Sequence, residues 1–210
     1  ANNSLTGTNK FGSVNDYIQI DNNGKLQALG GASWFDDLRV EPTVRGSGIK
    51  VPAYTIYKGG IYVYIFDNAI ANAEKEVNFK LQMPHGWKTD SPIHLHIHWT
   101  PTTTGNPNDK VRCRLEYTKA PIGGVFGNPT TVYADTPTNP PSTTPTADTH
   151  YLTEFPDVVM TGMGLSGILL GRMFRNSSAN EDTYSGSVGL LYIDAHIEMD
   201  QLGSNDEFTK

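Results

Sequence analysis

Cysteine is nearly absent from this chain of 210 residues: Cys113 is the only one, so an intrachain disulfide framework and a cysteine-cluster zinc site are both excluded. No Lys/Arg run occurs and the net charge is −6, which leaves counterion release onto a phosphate backbone little to act through and argues against nucleic acid as a partner. No apolar stretch approaches the 18 or so residues of a membrane span, so no membrane partner is expected. The opening Ala1-Asn-Asn-Ser-Leu5 has neither a basic segment nor an apolar run, and the expectation is a chain made in the cytoplasm without a secretory signal. Gly-x-Ser-x-Gly, Walker and dinucleotide fingerprints are missing, and no catalytic residue or cofactor is expected.

What is present points to strands. Gly (21) and Pro (13) supply many turns, while 37% hydrophobic residues suffice for one core. Strand-like runs occur at Tyr54–Tyr57, Ile61–Phe66, Val77–Met83, Ile93–Thr100, Val111–Tyr117, Thr130–Ala134, His150–Phe155, Ile168–Phe174 and Val188–Met199. Lys58-Gly59-Gly60 reads as a hairpin turn. In Val77-Asn-Phe-Lys-Leu-Gln-Met83 apolar and polar residues alternate, as on a strand with one buried face. Ile70–Glu76 and Thr161–Leu169 are the helix-like stretches, both too short and interrupted to form substantial helices. About nine strands suit two packed sheets, a jelly-roll-like antiparallel β-sandwich spanning residues 36–210.

Residues 1–35 read as an N-terminal arm. Tyr17–Ile20 and Lys25–Leu29 flank the turn cluster Asp21-Asn-Asn-Gly24 and form a small hairpin, which needs a body or a neighbouring subunit to lie on. Tyr17, Ile18, Ile20, Leu26, Leu29 and Trp34 are its candidate interface residues. The Pro/Thr-rich stretch 136–148 cannot supply a regular ladder of hydrogen bonds and reads as an exposed loop within the sandwich.

The conspicuous chemical feature is His94-Leu-His-Ile-His98-Trp99. Alternation puts His94, His96 and His98 on one face and Leu95, Ile97 and Trp99 on the other. Two imidazoles at this spacing can converge on a metal ion, and zinc would need further ligands from another strand. His196, with Asp194 and Glu198 on its face, is the available set; Leu191, Ile193, Ala195, Ile197 and Met199 form the opposite, core face. The plainer reading is a polar outer face, or a subunit interface with carboxylate partners, and a protonation switch is open to any histidine cluster. Asp36-Asp37, Glu181-Asp182 and Asp206-Glu207 are adjacent carboxylates that strands send to opposite faces, so turn or surface roles are expected. Trp34, Trp87 and Trp99 could line a sugar groove, though large aromatics in a β protein usually belong to core or interface. Cys113 alternates with Val111 and Leu115 and is expected to be a buried thiol.

Trp34-Phe-Asp-Asp-Leu-Arg39, Leu81-Gln-Met-Pro-His-Gly-Trp87, His96-Ile-His-Trp-Thr100, Leu115-Glu-Tyr117, Phe174-Arg-Asn with Asp182-Thr-Tyr184, Leu190-Leu-Tyr-Ile-Asp-Ala-His196 and Leu202-Gly-Ser204 with Glu207-Phe208 together resemble a family of tailed-bacteriophage and prophage virion-associated proteins. The resemblance covers residues 15–208. Its short His-x-His-Trp motif maps to His96, His98 and Trp99, and His94 is an addition. It implies a non-enzymatic structural role on the phage particle, assembled in the host. A capsid decoration or cement protein comes first, a homotrimer bound to the major capsid protein through the arm. A head-fibre or tail component that binds carbohydrate or a receptor is the alternative, and a cupin-like metal-dependent enzyme ranks below both.

Overall fold

The alternation read from the sequence is realised strand by strand in a computed structural model that describes residues 7–69, 73–135, 144–204 and residue 206. Thirteen strands run in chain order: β1 (Asn9–Gly12), β2 (Tyr17–Ile20), β3 (Leu26–Leu29), β4 (Trp34–Val40), β5 (Ala53–Lys58), β6 (Ile61–Phe66), β7 (Glu76–Gln82), β8 (Ile93–Pro101), β9 (Cys113–Ala120), β10 (Thr130–Ala134), β11 (Tyr151–Glu154), β12 (Ile168–Arg175) and β13 (Val188–Met199). No helix occurs among the described residues. Ile168 and Leu169, from the helix-like stretch 161–169, open β12, and residues 70–72 of the other such stretch lie outside the described residues.

Two antiparallel sheets carry the body. The smaller has the order β10-β9-β12-β7; the larger runs β11-β8-β13-β6-β5, with β4 also on β13. Taken as pairs, β4 lies on β13, β7 on β12, β8 on β11 and β9 on β10. These pairs are nested, outermost in sequence to innermost, so the chain folds as one long hairpin rolled into two sheets. That is the jelly roll. The β5–β6 hairpin is inserted between β4 and β7 and extends the larger sheet beyond this frame.

The inward residues of the two sheets meet in one core that includes Val77, Phe79 and Leu81 of β7, Ile93, Leu95, Ile97 and Trp99 of β8, Cys113, Leu115 and Tyr117 of β9, and Ile193, Ala195 and Ile197 of β13. The Trp99 indole N–H donates to Thr153 Oγ1 at 2.9 Å, so its polar handle is satisfied inside the apolar layer. Trp87 and Trp99 are core, which removes both from the sugar groove considered above. Gly171 lies opposite Phe79 in β7 and Tyr117 in β9, and a Cβ there would fall 2.2 Å from the Phe79 ring. The absent side chain makes room for that phenyl group. Arg175, 1% exposed, grips Asp182 at 2.6 and 2.8 Å and donates to the carbonyls of Tyr184 and Gly186, pinning residues 176–187 to the sandwich.

Two expectations change. Leu191 was placed in the core, yet it is exposed, because the register of β13 against β8 shifts between Leu190 and Tyr192. This bulge sends Leu190 inward and releases Leu191. The arm is a three-stranded sheet, β1-β2-β3, and not only a hairpin; β3 docks on the end of the body through Ala28 N–H to Asp200 O (2.6 Å) and a Gln27–Gln201 bridge. β4 begins at Trp34, so the last two residues assigned to the arm open the sandwich. Ile18 is exposed, while Tyr17, Ile20, Leu26, Leu29 and Trp34 are half-buried. Of the Pro/Thr-rich loop, residues 136–143 lie outside the described residues, and Asp148 is clasped by Lys58 and Tyr57.

Candidate functional site: the histidine face of the larger sheet

β8 and β13 are neighbours, which alternation alone could not reveal. Their register sets His94 beside His196, His96 beside Asp194 and His98 beside Tyr192. On the far side of β13, β4 adds Asp37 opposite His196 and Arg39 opposite Asp194. On the far side of β8, β11 adds Glu154 opposite His96. With the core taken by Ile93, Leu95, Ile97 and Trp99, every imidazole of β8 stands on the outer face, among both basic and acidic side chains.

The face is paired from within. His94 Nδ1 lies 2.6 Å from Asp157 Oδ1, and His196 Nδ1 lies 2.8 Å from Asp37 Oδ1. His96 is held between Asp194 (Nδ1 to Oδ1, 3.4 Å) and Glu154 (Nε2 to Oε1, 3.2 Å). His98 Nε2 reaches Asp194 Oδ2 at 3.3 Å, and its Nδ1 faces His150 Nε2 at 2.8 Å. With its Nε2–H turned to the carboxylate, His98 accepts at Nδ1 from His150. Phe35 stacks on His196 with ring centres 4.8 Å apart.

Burial opposes the charged form of both central partners, and the contacts overcome it. Burial would lower the His96 pKa, but the hydrogen bond and charge of Asp194, then Glu154, raise it above the ordinary imidazole value. Burial would raise the Asp194 pKa, but the hydrogen bonds from His96 and His98 hold its carboxyl far below the usual range. The centre of the face is therefore a histidine–carboxylate pair set into the sheet whose contacts favour the charged forms, with the Asp194 side chain only 9% exposed.

For the metal expectation, His94, His96, His98 and His196 do share a face, but His94 turns to Asp157 and His196 to Asp37 while His96 and His98 share Asp194, and among the described residues no three potential ligands converge on one point. Glu198 is taken by Lys88 at 2.8 Å. The adjacent carboxylates have separate duties: Asp37 holds His196, Glu181 pairs with Arg112 and Asp182 with Arg175, while Glu207 lies outside the described residues. Cys113 is buried as expected, and burial pushes its thiol up to about 12.

His150, Glu154, Asp157, Arg39 and Tyr192 were not singled out in the sequence. His150 and Glu154 had a signal, since both fall on one face of a run read as a strand. Leu191, Tyr192, Asp194, Asp37, Arg39, His98 and His150 line a shallow pocket of about 390 Å³ at one end of the face.

No protein-family model matches the chain, and no curated protein matches it. Among solved structures the chain is similar to a carbohydrate-binding module, TmCBM61, determined in complex with beta-1,4-galactotriose, at TM-score 0.31 and 11% identity over 80% of this chain and 88% of that one. A likeness at that level adds nothing to the strand pairing, which by its own order makes this chain an all-β jelly-roll sandwich.

Proposed function

We propose that the protein is a non-catalytic structural part of a phage particle, a decoration or cement protein that binds the head shell as an oligomer, with a homotrimer as the assembly. The observation that carries this reading is the β5–β6 hairpin. It stands beyond the jelly-roll frame with Tyr54, Ile56, Ile61 and Tyr62 all exposed, between 47% and 65%. Tyr54, Ile56, Tyr62 and Tyr64 occupy one face, with Tyr54 packed 4.8 Å from Tyr64 and 5.4 Å from Tyr62. Contiguous apolar and aromatic surface of this kind marks protein contacts. The arm supplies a second such surface in Phe11, Val14 and Ile18. The resemblance to virion-associated proteins supports the shell as the partner. The acidic balance keeps the free protein soluble before assembly.

Light scattering on the purified chain, followed by co-sedimentation with heads that lack it, tests the reading. A trimer that pellets with heads, and loses this property when residues 1–33 are deleted or Tyr54 and Ile56 become Ser, is the expected result. A monomer that stays in the supernatant overturns it.

A further inference from the structure

We propose that the pocket over Asp194 is a binding site for a neutral sugar ring. The bulge at Leu191 makes the site: by shifting the register it turns both Leu191 and Tyr192 outward, where a regular strand would have buried one of them. Beside these two lies a polar floor from four other positions, His98 of β8, Asp194 of β13, Asp37 and Arg39 of β4, with His150 ahead of β11. At about 390 Å³ the cavity falls in the range of small-molecule sites, near the lower end.

The lining chooses the chemistry. Asp37 and Asp194 carry negative charge and Arg39 carries positive charge, so neither a strong anion nor a strong cation gains from entering. A ligand with several hydroxyls gains in both directions: it donates to the carboxylates and to the His150 Nδ1 lone pair, and accepts from the Arg39 guanidinium. His150 directs Nε2 at His98, which leaves Nδ1 for such a ligand. The Arg39 guanidinium lies 6.0 Å from the centre of the Tyr192 ring, so a planar donor and an aromatic face border the same space. A pyranose has both complements, hydroxyls at its rim and an apolar C–H face to lie on an aromatic ring. Planar, pre-paired side chains such as Asp194 and His98 lose little freedom when it binds.

The site needs no particle and no partner subunit, so it is tested on the free protein. The probes are methyl glycosides of neutral hexoses and N-acetylhexosamines and their α- and β-linked disaccharides, read by saturation-transfer NMR. The expected Kd is on the order of 1 mM, which about a dozen non-hydrogen atoms of ordinary efficiency provide. At least one probe should receive saturation strongest on the C–H groups of one ring face. Tyr192→Ala and Arg39→Ala should each weaken binding at least tenfold, and Tyr54→Ala, in the β5–β6 hairpin, should leave it unchanged. Unchanged amide spectra away from the pocket check that the variants are folded. Absence of saturation in every probe overturns the proposal, as does binding that survives both pocket substitutions. Response of His98 and His150 to zinc chloride with none to any glycoside also overturns it, in favour of a metal site.

Discussion

Replacing Asp194 by Asn should weaken the fold in a way that depends on pH. The carboxylate stands in charge-assisted contact with His96 and His98 at 3.4 and 3.3 Å, short of well-formed hydrogen bonds. Such bonds contribute about 1.5–3 kcal/mol each when well formed. These are long, the imidazoles are partly solvated, and Asn keeps one acceptor, so the expected loss at about pH 5 is about 2 kcal/mol. With a urea m-value of about 3 kcal/mol/M the midpoint falls by about 0.7 M. The sign with pH follows from linkage. His96 has its folded pKa raised, so its stabilisation is fully present below its unfolded value, about 6.5, and is lost as pH rises through the folded value. Asp194 has its folded pKa lowered, so its contribution is present above about pH 4 and is lost only in strong acid. The wild-type protein should therefore lose stability through His96 as pH rises above about 6.5. In Asp194→Asn, burial opposes protonation of His96 with only the exposed Glu154 to help, and that decline should flatten. Urea titrations of both proteins at about pH 5 and about pH 8 read the effect. Equal losses at the two pH values, or an undiminished decline in the variant, would refute the assignment of His96 and Asp194 as an ion pair.

Arg175→Met strands the Asp182 carboxylate, 0% exposed, and two carbonyls; the expected cost is about 3–5 kcal/mol by thermal or urea unfolding. The double variant Arg175→Met with Asp182→Leu should recover the part due to the stranded carboxylate, with the Tyr184 and Gly186 carbonyls and the Arg112 N–H still unpaired, and additive losses would show that the pair is not the cause. Gly86→Ala should cost about 1–3 kcal/mol, because the new methyl meets the Gln201 carbonyl at 2.5 Å where β13 leaves the sandwich; an unchanged melting temperature would contradict that contact. Cys113 should not react with a thiol reagent in native buffer and should react fully in urea, since burial holds its thiol at about 12; rapid native labelling would contradict the packing around β9.

Alternation made much of this protein legible. The side-chain period of a strand is a local property, so Val77, Phe79 and Leu81 could be assigned inward, and His94, His96 and His98 outward, from one sequence. The turn at Asp21-Asn-Asn-Gly24 and the joint at Gly59-Gly60 were legible for the same reason, because turn chemistry resides in adjacent residues. β4 was missed as a strand, since Phe35, Asp36 and Asp37 are all exposed and carry no buried stripe to detect.

What only the tertiary structure decided is who stands beside whom. The sequence by itself determined the all-β class, the single core and the outward histidines. Pairing joins segments about a hundred residues apart, His96 with Asp194 and Arg172 with Glu76, and nothing in either segment names its neighbour. The Leu191 bulge belongs to the same category. It arises from how β13 meets β8 on one edge and both β6 and β4 on the other, and that competition exists only once the sheets have formed.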